Sequence, residues 1–130
     1  MTANPTDHHL ILIVDDVCEN RELVRIYLEK LGWNTISCDS GEQALVELEH
    51  IKPDAILLDI KMPGIDGIAL ARVIRLTLSH ADTKIVGYTA HALKDEIEFI
   101  LNSGFDQVLI KPVTYKDISS CFGTTGIEFI

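Results

Sequence analysis

Asp15 and Asp16, Asp59, Thr89 and Lys111 share one placement: each follows directly on a short run of mostly apolar residues. Singly, each has an ordinary explanation. Asp15 or Asp16 would serve to cap a following helix, Asp59 to open a turn, and Thr89 to cap a fourth helix. Lys111 would be one more solvated lysine. Together they point to a different chemistry. Three carboxylates brought close raise one another's pKa unless a cation intervenes. A hard divalent ion with oxygen ligands resolves that repulsion. Mg²⁺ suits the set, because it takes one or two carboxylates and keeps waters that phosphate oxygens can replace. An ammonium and a hydroxyl nearby match the remaining oxygens of a phosphoryl group.

This chemistry requires elements that bring the five residues to one place. Leu10-Ile11-Leu12-Ile13-Val14 is too short for a helix and apolar throughout, as in a strand buried on both faces. A helix is expected next, up to Leu31, with Leu23, Tyr27 and Leu31 on one side, Val24 and Leu28 widening the stripe, and Gly32 ending it. Asn34 to Cys38 suits a second strand. Ser40 caps a second helix marked by Ala44, Leu45, Leu48 and Ile51, which Lys52-Pro53 breaks. Ala55 to Leu58 forms a third strand ending in Asp59, and Met62-Pro63-Gly64 is turn chemistry. Asp66 caps a third helix. Lys84 to Tyr88 is a fourth strand, Ala90 to Ser103 a fourth helix, Gln107 to Ile110 a fifth strand, and a short helix starts at Thr114. Five strand–helix pairs with short links specify an α/β fold, a parallel sheet with helices on both faces. In such sheets ligands bind at the carboxyl ends of the strands, where all five residues lie.

Composition narrows the partners. At 130 residues there is room for one domain, and 47% apolar content supports a buried core. Twenty acidic residues against eleven basic give a net charge of −9. That balance argues against direct contact with nucleic acid or an anionic membrane, both of which need a basic face. Cys18, Cys38 and Cys121 have neither zinc nor disulfide spacing and read as buried free thiols in a reducing cytoplasm. No apolar run approaches the roughly 18 residues of a membrane span. Residues 1–9 lack the features of a signal peptide and read as a flexible leader, in which His8 and His9 adjoin. A cytoplasmic location is expected.

Val14-Asp15-Asp16, Leu58 to Gly67 (LDIKMPGIDG), Tyr88-Thr89-Ala90 and Ile110-Lys111-Pro112 together resemble the receiver domain of two-component response regulators. The motifs occur in order, with Asp16, Asp59, Thr89 and Lys111 separated by 43, 30 and 22 positions. The resemblance spans residues 10–122 and leaves 123–130 as a C-terminal tail. It implies a flavodoxin-like doubly wound sheet in the order 2-1-3-4-5. It also implies that Asp59 is the nucleophile, taking a phosphoryl group from a phosphohistidine of a sensor histidine kinase or histidine phosphotransfer protein. Asp16, Asp59 and the backbone carbonyl of Lys61 would then bind Mg²⁺ directly, or Mn²⁺ in its place, with Asp15 acting mostly through water. Thr89 and the Ala90 amide would hold phosphoryl oxygens, and Lys111 would pair with the carboxylate and then the phosphate. A cis Lys111-Pro112 bond is implied too, as is a switching surface on the fourth helix, fifth strand and fifth helix that meets a downstream effector protein. The domain would be no enzyme beyond catalysing its own phosphorylation and dephosphorylation.

Three features depart from the family pattern. Val108 stands where an aromatic is expected, so the usual threonine–aromatic coupling is unavailable. Tyr88 should point to the other side of its strand from Thr89 and reads as a packing residue rather than a substitute switch. Lys61 and His91, two places after Asp59 and Thr89, are either solvated or a basic pair that alters the acyl-phosphate lifetime. The last helix is curtailed at Gly123, before an apolar tail.

Rival chemistries fit less well. A phosphohydrolase of the haloacid-dehalogenase type needs a second acid where this chain has Lys61. Flavodoxin-like and Rossmann sites need hydroxyl- or glycine-rich loops where this chain has Asp15-Asp16-Val17-Cys18-Glu19. A phosphorylation-independent pseudo-receiver would lack the acidic pair, the acceptor or the lysine. The Met1 start and the lack of an output segment point to a stand-alone protein, with a domain excised from a hybrid kinase as the alternative.

Overall fold

The computed structural model describes residues 9–90 and 93–123. Most of the leader, His91 and the tail beyond Gly123 therefore lie outside the described residues. Strands β1 (Leu10–Val14), β2 (Asn34–Cys38), β3 (Ala55–Asp59), β4 (Lys84–Thr89) and β5 (Gln107–Ile110) alternate with helices α1 (Cys18–Lys30), α2 (Gly41–Leu48), α3 (Gly67–Leu76), α4 (Lys94–Leu101) and α5 (Tyr115–Phe122). All neighbouring strands run parallel, in the order β2-β1-β3-β4-β5. The flavodoxin-like doubly wound architecture expected from the sequence is the one present.

Strand alternation divides the core into two layers. Leu12, Val14, Ile56, Leu58 and Ile85 pack with α2, α3 and α4 through residues such as Ala44, Leu70, Ile74 and Ile100. Ile11, Ile13, Leu57, Val86 and Tyr88 face the opposite way, toward Val24 and Leu28 of α1 and Ile118 and Cys121 of α5. Burying both faces explains why β1 and β3 are continuously apolar.

Local signals set most boundaries. The Ser40 hydroxyl accepts from the Gln43 amide at 3.1 Å, and the Asp66 carboxylate from the Ala69 amide at 2.9 Å. Thr114 and Asp117 form a reciprocal capping box at the start of α5.

Four sequence expectations need correction. The buried face of α1 centres on Val24, Leu28 and Leu31, whereas Leu23 is exposed. Ile51 lies beyond the end of α2 at Leu48. Helix α4 begins at Lys94 rather than Ala90, with Leu93 at its N-cap position, and Thr89 is the last residue of β4. Cys18 is exposed, in contrast to the buried Cys38 and Cys121. In addition, His9, assigned to the leader, packs its ring edge-on against Trp33.

Candidate functional site

The ends of β1, β3, β4 and β5 deliver the predicted groups to one edge. Asp15, Asp16 and Asp59 each present a carboxylate oxygen, all within 4.8 Å of one another. Asp15 is fully buried, Asp59 nearly so, and Asp16 exposed. The Lys111 ammonium reaches across from the end of β5, 3.1 Å from Asp59 Oδ1 and 3.7 Å from Asp15 Oδ2. Thr89 is buried, and its carbonyl accepts from the Lys111 amide at 2.8 Å. Ala90 follows in the exposed bend, and the Lys111-Pro112 bond is cis.

The turn after β3 is built for close approach. A Cβ on Gly67 would lie 2.3 Å from the Asp59 carbonyl oxygen and 2.8 Å from Ile60 Cα, so only glycine lets α3 start directly beneath the acceptor strand. The Gly67 amide donates to the Ile60 carbonyl at 2.9 Å, which fixes that approach. Gly64 supplies the positive φ of +75° that the preceding turn requires.

Electrostatics follow from this crowding. Burial, and then the charge of Asp15, push the Asp59 carboxyl up to about 6. Lys111 and a hydrogen bond from the Lys61 backbone pull the other way without cancelling the rise. Asp15 is held by its surroundings: Oδ1 accepts from the Val17 amide at 2.9 Å, and the Arg21 guanidinium donates to its main-chain carbonyl at 2.8 Å.

One residue at the site was not recognised as such from the sequence. The Tyr88 hydroxyl donates to Asp15 Oδ2, and the Lys111 ammonium sits over the Tyr88 ring, 4.7 Å from its centroid. Burial and the neighbouring Asp15 push the phenol up, keeping it a donor. Tyr88 does point away from Thr89 and pack in the core, as expected. That side of the sheet, however, is also the side of the acids. Asp59 and Tyr88 are register partners, and Ile11, Ile13 and Leu57 continue into Asp15 and Asp59 with the same parity. The parity was available in the sequence as a signal.

The departures are also located. Val108 is half-buried and packs against the layer that holds Phe105. Phe105 itself lies against Gly87, where a Cβ would meet its ring at 2.8 Å. Lys61 is exposed, and its partner in the basic-pair idea, His91, is outside the described residues.

The donor set fits a hard divalent cation: the ligand atoms are all oxygens, two of the three carboxylates are buried, and their mutual repulsion is only partly relieved by Lys111. Among the described residues, no other group of three or more potential metal-ligating side chains is present.

Fold and site define a flavodoxin-like α/β domain with an acidic, lysine-bearing cleft at its carboxyl edge. Known proteins share the fold. The family model of the response regulator receiver domain matches residues 11–122. Sensor histidine kinase RcsC of Salmonella typhimurium is 40% identical over 116 residues, covering 87% of this chain and 12% of that protein. DNA-binding response regulator MtrA of Mycobacterium leprae is 34% identical over 108 residues, 83% of this chain and 47% of its own length. The chain thus spans a small part of the first relative and about half of the second. Among solved structures, the receiver domain of sensor histidine kinase PA1611 from Pseudomonas aeruginosa superposes with a TM-score of 0.81 at 30% identity, over 88% of this chain and 94% of that one. It was determined with a magnesium ion coordinated in its active-site cleft. Chemotaxis response regulator CheY4 of Vibrio cholerae shares the fold, with a TM-score of 0.83 at 22% identity over 88% of this chain and 95% of that one. This chain belongs to the response regulator receiver domain family of two-component signalling.

Proposed function

We propose that Asp59 accepts a phosphoryl group from a phosphohistidine and that the resulting acyl phosphate switches a protein-binding surface. The observation that carries this reading is the position of Asp59: a buried carboxylate 3.1 Å from the Lys111 ammonium and within the acidic cluster. In the step itself, an Asp59 oxygen attacks phosphorus in line with the donor. The new O–P bond forms as the N–P bond breaks, and the imidazole leaves with the electron pair. Catalysis of such a transfer rests on positioning and charge compensation. Lys111 supplies one positive charge at Asp59 Oδ1, and Thr89 with the Ala90 amide holds phosphoryl oxygens. Asp16, Asp59 and the Lys61 carbonyl would hold Mg²⁺, or Mn²⁺ in its place, with Asp15 acting through water. Bound there, the ion neutralises the acids and the charge on the transferring oxygens.

The donor by this chemistry is a sensor histidine kinase or a histidine phosphotransfer protein, and the output is a downstream effector protein. Exposed Phe99 of α4, Ile110 of β5 and Tyr115 of α5 give that output surface apolar contacts. Thr89 borders an open pocket of about 340 Å³ lined by Ile60, Ile68, Phe99 and Ile100 and rimmed by Asp95 and Glu96, which leaves room for α4 to repack when Thr89 moves. With Val108 in β5, the signal runs through Thr89 and α4.

Incubation with acetyl phosphate and Mg²⁺ followed by intact mass measurement tests the reading. One phosphoryl adduct is expected on the wild type and none on Asp59→Asn. Absence of an adduct on the wild type, or an undiminished one on the variant, overturns it.

A further inference from the structure

Tyr88 is almost completely buried, yet its packing does not need a hydroxyl. A phenylalanine would fill the same space among Ile11, Ile13 and Val86. A buried phenol must find a hydrogen-bond partner, and here the partner is Asp15 Oδ2, an oxygen of the acidic cluster. The other oxygen of that carboxylate is already committed to the Val17 amide, and the Lys111 ammonium stands 3.7 Å from Oδ2. Each Asp15 oxygen therefore carries one fixed donor, and the carboxylate keeps about half of its lone-pair directions free.

We propose that Tyr88 is a positioning residue of the cation site: its hydroxyl competes with Mg²⁺ for the charge of Asp15, holds that carboxylate back from direct coordination, and so lowers cation affinity. The proposal rests on the reading that the acidic cluster binds Mg²⁺. Its logic is linkage. In the metal-free protein the hydroxyl stabilises a buried anion beside Asp59, where relief of repulsion is scarce. With the cation bound, the same anion is already compensated and the bond contributes less. An interaction stronger in the metal-free state necessarily weakens metal binding by the same factor. The arrangement also gives a physical reason for Asp15 to act through water.

Tyr88→Phe removes the donor and keeps the ring beneath Lys111. Calorimetric Mg²⁺ titration should show binding about fivefold tighter than wild type, the share of one charge-assisted hydrogen bond lost on metal binding. In chelator the variant should melt below wild type, with part of the deficit regained in Mg²⁺. The Mg²⁺ concentration giving half-maximal phosphorylation by acetyl phosphate should fall in step. In the wild type, adding Mg²⁺ should perturb the near-ultraviolet tyrosine absorption, and this perturbation should vanish in Tyr88→Phe. A merely structural tyrosine lowers melting without changing Mg²⁺ affinity; that result, weaker binding, or a silent tyrosine spectrum in the wild type overturns the proposal. Wild-type protein that binds no Mg²⁺ at all overturns the site reading with it, whereas wild-type binding with an unchanged variant sinks this inference alone.

Discussion

Replacing Asp59 by asparagine should make the metal-free protein more stable, by an amount that grows as pH rises above about 4. Burial and Asp15 raise the Asp59 carboxyl from 3.8 to about 6 even with Lys111 at 3.1 Å. Two units at about 1.4 kcal/mol each make ionised Asp59 cost the folded state roughly 3 kcal/mol. The unfolded chain ionises near its ordinary value and the folded chain only near 6. The cost is therefore absent below about pH 4, grows through the interval, and is complete above about pH 7. Asparagine resembles the protonated acid in shape and charge, so it avoids the cost at every pH. For a domain of this size 3 kcal/mol corresponds to about 10 °C in melting temperature. Thermal unfolding in chelator from about pH 4 to 8 should show the two proteins together at the acid end and the variant higher at the alkaline end. Mg²⁺ should then raise the wild type more than the variant. A gap that does not change with pH, or a variant less stable at alkaline pH, refutes the reasoning.

Substitutions at two further positions, Gly67 and Arg75, test the scaffold. Gly67→Ala places a methyl group 2.3 Å from the Asp59 carbonyl oxygen and should cost about 2 kcal/mol in denaturant unfolding while slowing phosphorylation, since the strand end must shift. Arg75 donates to the carbonyls of Gly104 at 2.9 Å, Ala81 at 3.0 Å and Thr83 at 2.5 Å, and pairs with Asp106 at 2.9 Å. Arg75→Ala should therefore cost about 2–3 kcal/mol, with Arg75→Lys recovering less than half in the same assay, because an ammonium cannot span this fork.

How much of this was legible in the sequence depended on whether one neighbour or several set the outcome. The strands declared themselves: Leu10 to Val14, Asn34 to Cys38 and Gln107 to Ile110 are bounded in the structure as read, the first and last as short apolar stretches and the second by its weak alternation after Gly32. Ser40 and Asp66 cap their helices through local bonds that sequence spacing encodes. The start of α4 was harder to read, since Ala90 and Leu93 are good helix formers and propensity alone does not place the first turn at Lys94. The stripe on α1 holds at Val24, Leu28 and Leu31 but not at Leu23, because two adjacent apolar residues cannot be ranked until the sheet and α5 are packed against the helix. Tyr88 was assigned to the correct side of its strand and still undervalued, because the hydroxyl outreaches the layer in which its ring is buried.

The same geometry explains why a fold would carry so uncomfortable a cluster. The total charge of −9 is spread over a surface where solvent screens it, and most of the twenty acids cost the fold little. Asp15 and Asp59 differ because they are buried, and each is compensated by a specific donor: the Val17 amide and Tyr88 hydroxyl for one, Lys111 and the Lys61 backbone for the other. Those donors restrain the repulsion without abolishing it, as the raised Asp59 carboxyl shows. The remainder is free energy that a divalent cation bound at the cluster would release. A fully neutralised site would fold more stably and gain less from a cation, so the residual repulsion is what makes the cluster responsive to one.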